Sequence, residues 1–195
     1  MQKIMFNDKY GLTQAVLEGR KTMTRRIAQG LSSNYNRANY GSLSEGYNLR
    51  NGRLFFRKNQ TIYRSVYAIG EIVAVAQSLR DMGYDPRDTK HKSGAIWGLD
   101  HTPAWTNKMF VSASECIHQI RITNVRAERL QDISDQDCLR EGIIKMTFDT
   151  FSFDSWKFFT HNPREAFAAL IDKISGKGTW DSNPLVFVYE FELLK

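Results

Sequence analysis

Lys21 and Thr24 lie three residues apart in Gly19-Arg20-Lys21-Thr22-Met23-Thr24-Arg25-Arg26, an octet with four cations and two hydroxyls. Burying an unpaired charge is very costly, so the octet is expected at a cleft rim or on an anion-facing surface. Its partner there carries phosphate or another negative group. On an extended strand, residues three apart point to opposite faces. In a turn just past a helix stop they can converge. The neighbouring Arg20, Arg25 and Arg26 disfavour the ammonium form of Lys21, and desolvation pushes the same way. A neutral lysine can act as a base toward Thr24 or toward a water. The alternative is a lysine that contacts phosphate beside a threonine that pairs in a sheet. Glu141 is the third candidate. It closes a short helix that begins at Ser134, and a carboxylate there faces the negative end of the helix dipole, at a cost of about 0.3–1 kcal/mol. A cation such as Lys21 would compensate. A solvent-exposed glutamate without a partner is the other possibility.

A second stretch combines aromatics with cations: Arg50, Arg53, Phe55, Phe56, Arg57, Lys58, Tyr63 and Arg64. Bases stack on aromatic rings while cations take phosphates. The same pattern also suits a strand pair that buries Phe and exposes Arg. Adjacent residues of a strand cannot both face the core, so either Phe55 or Phe56 is left for stacking or loop packing. The nucleic-acid-binding candidates are Arg20, Lys21, Arg25, Arg26, Arg53, Arg57 and Lys58. His118 is flanked by strand residues and is expected to be structural. His91 and His101, among Asp85, Asp88 and Asp100, are too loosely spaced for a metal site. No metal and no cofactor is implied. Trp180 is expected to be a packing anchor.

The elements that must position these groups follow from local signals. Lys3 to Phe6 has the composition of a first strand. Leu12, Ala15 and Val16 are at helical spacing, with Thr13 as a possible cap and Gly19 as the stop. Residues 29–52 are rich in Ser, Asn, Gly and Tyr and predict an irregular insertion, closed by a hairpin signal at Asn51-Gly52. Strands are predicted over residues 61–67, 72–76, 108–125 and 185–193. Loops are predicted over 80–104. Ser134 caps a helix through Arg140. Asn162-Pro163-Arg164-Glu165 starts another, with the apolar stripe Phe167, Leu170, Ile171 and Ile174 ahead of Gly176. Short strands with few helices between them predict a mostly antiparallel barrel with peripheral helices.

At 195 residues the chain suits one well-cored domain. No window nears the ~20 apolar residues of a membrane span. The N-terminus lacks a signal-peptide core. The two cysteines, Cys116 and Cys138, imply no disulfide framework. A cytoplasmic protein with no membrane partner is expected. Residues 1–69 hold 12 Lys and Arg against 3 Asp and Glu, whereas residues 70–195 hold 15 against 18. That asymmetry suggests either a polyanion-facing surface or a solvated basic face.

These segments together resemble the ASCH-domain proteins, whose fold is a small PUA-like β-barrel, and in particular their longer phage and Bacteroides-type members. The resemblance rests on the octet, Gly70-Glu71-Ile72-Val73, Asn107 to Val111, Arg121 to Val125, Glu128 to Ser134 with Glu141-Gly142, Trp180, Asn183-Pro184 and Val188 to Phe191. It covers roughly half of the chain. It implies an RNA, nucleoside or nucleotide ligand bound in a basic cleft. It also implies two enzyme classes. One is an amidohydrolase that deacetylates N4-acetylcytidine through a lysine, a threonine and a glutamate, which fall on Lys21, Thr24 and Glu141. The other is a ribonuclease acting on single strands. Where longer relatives carry an Arg-Glu-Thr-Trp run, this chain has Ala76-Gln77-Ser78-Leu79. If that run shapes the cleft, the departure implies a different ligand or a lost reaction.

Overall fold

The computed structural model describes residues 1–30, 46–58, 61–91, 97–146, 149–154 and 157–194, and for Lys58 the backbone alone. In chain order the strands are β1 Gln2–Ile4, β2 Met23–Ile27, β3 Gly46–Arg50, β4 Arg53–Lys58, β5 Thr61–Arg64, β6 Ile72–Val75, β7 Gln119–Arg129, β8 Ile144–Lys145, β9 Phe151–Ser152 and β10 Leu185–Leu194. The helices are α1 Leu12–Leu17, α2 Asp135–Arg140, α3 Pro163–Ser175 and α4 Thr179–Ser182. The protein is a mixed α and β fold in which strands dominate. None of its helices, among the described residues, is long and apolar enough to cross a membrane.

The main sheet has the order β1-β6-β7-β10-β2. Only the β1–β6 pair is parallel. β1 and β2 are both edges, so this sheet is open and does not close into the expected barrel. The long strands β7 and β10 form its centre. In β10, Phe187, Tyr189 and Phe191 face one side while Val186 and Val188 face the other, and all five are buried. Burial on both sides explains the near-continuous apolar run, and each large side chain contributes about 1.5–3 kcal/mol. A bulge between Glu190 and Phe191 shifts the register against β7. α3 adds Phe167, Leu170 and Ile171 to the same core. Its start follows the sequence signal: Asn162 Oδ1 accepts the Arg164 amide at 2.8 Å and Pro163 is the first residue.

β3, β4 and β5 make a three-stranded arm. Arg50 faces Arg53 across the two-residue turn Asn51-Gly52, both in left-handed backbone. A side chain at Gly52 would meet the Ile69 carbonyl at 2.9 Å, so the arm's approach to the main sheet also requires glycine there. The arm is tied down by Tyr189, whose hydroxyl accepts the Val66 amide at 2.8 Å.

Several expectations change. Of the expected insertion 29–52, residues 46–52 are strand and turn, Gly30 forms an isolated bridge with Tyr63, and 31–45 lie outside the described residues. Thr13 does not cap α1; Gly11 holds that position, and the Thr13 hydroxyl donates to Asp8 Oδ1 at 2.5 Å instead. Residues 108–110 form a 3₁₀ turn, and β7 begins only at Gln119. There Asn107 accepts the Met109 amide, and Lys3 Nζ donates to the carbonyls of Lys108, Met109 and Val111. Those bonds consume the polar groups that a strand would have needed.

Candidate active site

The octet leaves α1 through Gly19, whose φ of 73° turns the chain back. The Lys21 amide then donates to Ala15 O at 2.9 Å, and the Thr22 amide to Arg140 O at 3.0 Å. These bonds hold Lys21 in a bend ahead of β2, against the end of α2. Lys21, from this bend, and Thr24, from β2, both border a cavity of about 460 Å³.

Lys21 is 2 % exposed. Its Nζ donates to Glu141 Oε2 at 2.6 Å and to the Glu141 carbonyl at 2.7 Å. Nζ also lies 5.7 Å from the centre of the Phe6 ring. Glu141 caps the C-terminus of α2, so its carboxylate and its carbonyl both present negative charge to one ammonium. Burial pushes the Lys21 ammonium below its ordinary range. Glu141 opposes that shift, while Arg26 and Arg25 add to it. Thr24 is buried on the cavity wall, and among the described residues its hydroxyl has no hydrogen-bond partner.

Arg25 corrects the expectation of an anion-facing octet. Its side chain is 1 % exposed. Nη1 bonds Glu141 Oε1 at 3.1 Å, and Nη2 bonds Glu128 Oε1 at 2.6 Å and Asp137 Oδ2 at 3.0 Å. Burial works against its charge, but Glu141 and Glu128 more than offset this and raise its pKa. The network continues outward. Arg126 reaches Asp137, Glu128 and Glu190, and Arg140 reaches Glu190 at 2.8 Å. Lys21 and Arg25, from the basic first third of the chain, thus meet carboxylates from the acidic remainder. Part of the charge asymmetry is internal complementarity.

The rest of the cavity is mixed. Arg26 lines it, donates Nη2 to Met5 O at 2.6 Å and has no carboxylate partner among the described residues. Asn7 lines it with Oδ1 buried and without a donor. A buried acceptor normally finds a partner, so a ligand N–H is suited to it. Tyr67 and Tyr189 meet edge to face at 5.2 Å between ring centres. Burial raises both phenols, Tyr189 to about 12. The far wall is apolar: Leu130, Phe167, Leu170, Ile171 and Val186.

The other candidates lie elsewhere. Arg20 is exposed and bridges Glu18 at 2.6 Å. Arg53 pairs with Glu71 at 3.2 Å. Arg57 is partly buried and partnered. The Lys58 side chain lies outside the described residues. Phe55 is the buried member of its pair, and Phe56 stacks with Tyr47 and Tyr63. His118 Nδ1 bonds Gln77 Oε1 at 2.6 Å, and Trp180 packs on Phe167. Among the described residues no group of three or more His, Cys, Asp or Glu can hold a metal. The departure Ala76-Gln77-Ser78-Leu79 is buried and lines neither this cavity nor the second one. The substituted run therefore leaves the cavity wall untouched.

Sequence reasoning missed Asp137, Glu128, Arg126, Asn7 and Tyr67. A signal existed for the first three. Asp137 and Glu141 are four apart on one helix, and Arg126 and Glu128 are two apart on one strand, so each pair shares a face. Asn7 and Tyr67 carried no such signal.

No protein-family model matches this chain, and no curated protein or solved structure matches it. The site stands on its own geometry.

Proposed function

We propose that the first cavity binds a modified nucleoside or nucleotide and hydrolyses its exocyclic amide, as an amidohydrolase on an N4-acetylcytidine-type substrate, and that the chain is an ASCH-like, PUA-like relative. The observation that carries this is that the buried Lys21–Glu141 pair and an unpartnered Thr24 hydroxyl border one cavity. A phosphate-only cleft has no use for a lysine held at 2.6 Å from a carboxylate. In the reaction the neutral Lys21 amine takes the proton of Thr24, or of a water held by it. The freed oxygen attacks the amide carbonyl. The proton taken by Lys21 then passes to Glu141, to which its Nζ donates, and from Glu141 to the leaving exocyclic nitrogen as the C–N bond breaks. Attack through Thr24 leaves an acyl ester that water then cleaves. Either route consumes one water and yields acetate and cytidine. Arg26 and Asn7 are suited to hold the substrate's polar edges, and the apolar wall excludes water.

The test is incubation with N4-acetylcytidine and chromatographic measurement of cytidine. Release that is lost in Lys21→Met and Glu141→Gln, both close in volume to the parent residues, supports the proposal. No release from the folded parent protein overturns it.

A further inference from the structure

A second cavity, of about 480 Å³, is lined by Tyr47, Phe56 and Tyr63 of the arm and, across from them, by Ala28, Arg129 and Leu185, together with two carboxylates that already have partners: Glu128, bridged to Arg25 and Arg126, and Asp132, which accepts the Arg129 amide. Both cavities are bordered by residues of β2 or its continuation and of β10, and the register relates them. By register, Thr24 lies beside Tyr189 and Arg26 beside Phe187. Tyr189 in turn lies beside Val125, Phe187 beside Ala127, and Leu185 beside Arg129. The Ala28 amide continues that ladder to Leu185 O. Thr24, Arg26 and Ala28 therefore project to one side, Thr24 in the first cavity and Ala28 in the second. At about 3.3 Å per residue they are about 13 Å apart, a span that neighbouring nucleotides of an extended strand can bridge. One roof covers both ends. Arg64, Val66 and Tyr67 border the first cavity, and the arm's rings border the second.

The roof's chemistry is specific. Tyr47 and Phe56 stack with centres 4.8 Å apart and an interplanar angle of 32°, and Phe56 and Tyr63 follow at 6.0 Å and 33°. Tyr47 ends the stack and is 55 % exposed. A further planar ring extends such a stack whatever its sequence identity, because every base has a π-face. Arg129 is exposed on the opposite wall. Its Nη1 donates to Asn183 O at 3.3 Å, and its backbone amide donates to Asp132 Oδ2 at 3.2 Å, which leaves the guanidinium without a carboxylate among the described residues. Arg26, whose guanidinium also lacks a carboxylate partner among the described residues, borders the first cavity at the strand position between Thr24 and Ala28. A single strand of nucleic acid supplies the matching parts: a base for the stack and phosphates for Arg26 and Arg129.

We propose that the second cavity is a base-stacking subsite, so that the protein takes its nucleoside as part of a single-stranded nucleic acid rather than as a free monomer. This deepens the assignment of the first cavity and rests on it for the identity of the reacting base. The test uses fluorescein-labelled decauridylate, with fluorescence anisotropy at fixed low salt and N4-acetylcytidine turnover measured in parallel. Tyr47→Ala is expected to weaken decamer binding about tenfold, as for one lost stacked base. Tyr47→Phe is expected to restore it. Neither should change turnover of the free nucleoside. Arg129→Gln is expected to weaken binding and to lower the salt slope by about one. A parent protein that does not bind the decamer overturns the proposal, as does a Tyr47→Ala protein that binds it like the parent. Decamer binding that depends on Tyr47, without nucleoside turnover, keeps the stacking subsite and removes the hydrolase. Turnover without decamer binding does the reverse.

Discussion

On β2 the Arg25 side chain is 1 % exposed and meets three carboxylates, whereas Arg26 beside it, bordering the same first cavity, meets none among the described residues. The two are identical in type and adjacent in sequence. Strand alternation sends them to opposite faces, and the faces have different chemistry. Behind Arg25 lie α2 and the Glu128 side of β7. Ahead of Arg26 lie the cavity and the arm. A basic cluster is therefore not one electrostatic object. Lys21 and Arg25 are compensated by the protein itself and hold Glu141, while the Arg26 guanidinium meets only the Met5 carbonyl and the Phe6 ring.

The comparison can be broken most sharply at Lys21. Lys21→Met is expected to lower kcat for N4-acetylcytidine about a thousandfold, the scale of a lost general base, while the protein remains folded. The next largest effect separates the two arginines. Arg25→Met removes one member of a buried ionic cluster and is expected to destabilise the protein by about 3 kcal/mol in urea unfolding. Arg26→Met should cost less than about 1 kcal/mol but weaken nucleotide binding about tenfold. Equal destabilisation by the two would refute the division.

The pH response sharpens the same contrast. Lys21 holds its proton less tightly in the fold than in the unfolded chain, where its value is 10.5. Turnover should rise with pH along a one-proton limb whose midpoint lies below 10.5. Below its folded value the buried ammonium costs stability. As pH climbs from there toward 10.5, the unfolded chain binds more protons than the fold, so this group's contribution to stability increases. In Lys21→Met that contribution should disappear. The smallest effect belongs to Arg20, exposed beside Glu18, and Arg20→Ala is expected to leave stability and turnover unchanged.

The legible parts of the fold were local. Asn162-Pro163 marks the start of α3 because cap and ring act within one turn. Asn51-Gly52 marks the hairpin because both residues tolerate left-handed backbone. Glu141 was legible as a carboxylate in need of a cation because the end of α2 was legible. Two features were not. Sheet closure depends on which strands become edges, and the parallel pairing of β1 with β6 joins residues about seventy positions apart. No turn residue encodes that. The partners of Arg25 lie more than a hundred residues along the chain, so composition showed the charge and hid its compensation. The Lys108–Phe110 turn was obscured for a similar reason, since its carbonyls are collected by Lys3 from the opposite end of the chain's first half.

The most direct measurement is an NMR titration of the lysine Cε and Nζ resonances in the free protein, with Lys21 assigned by its loss in Lys21→Met. The expected result is one lysine titrating below 10.5, apart from the surface lysines. A Lys21 resonance that titrates together with the surface lysines, or above them, would contradict a buried base poised against Thr24.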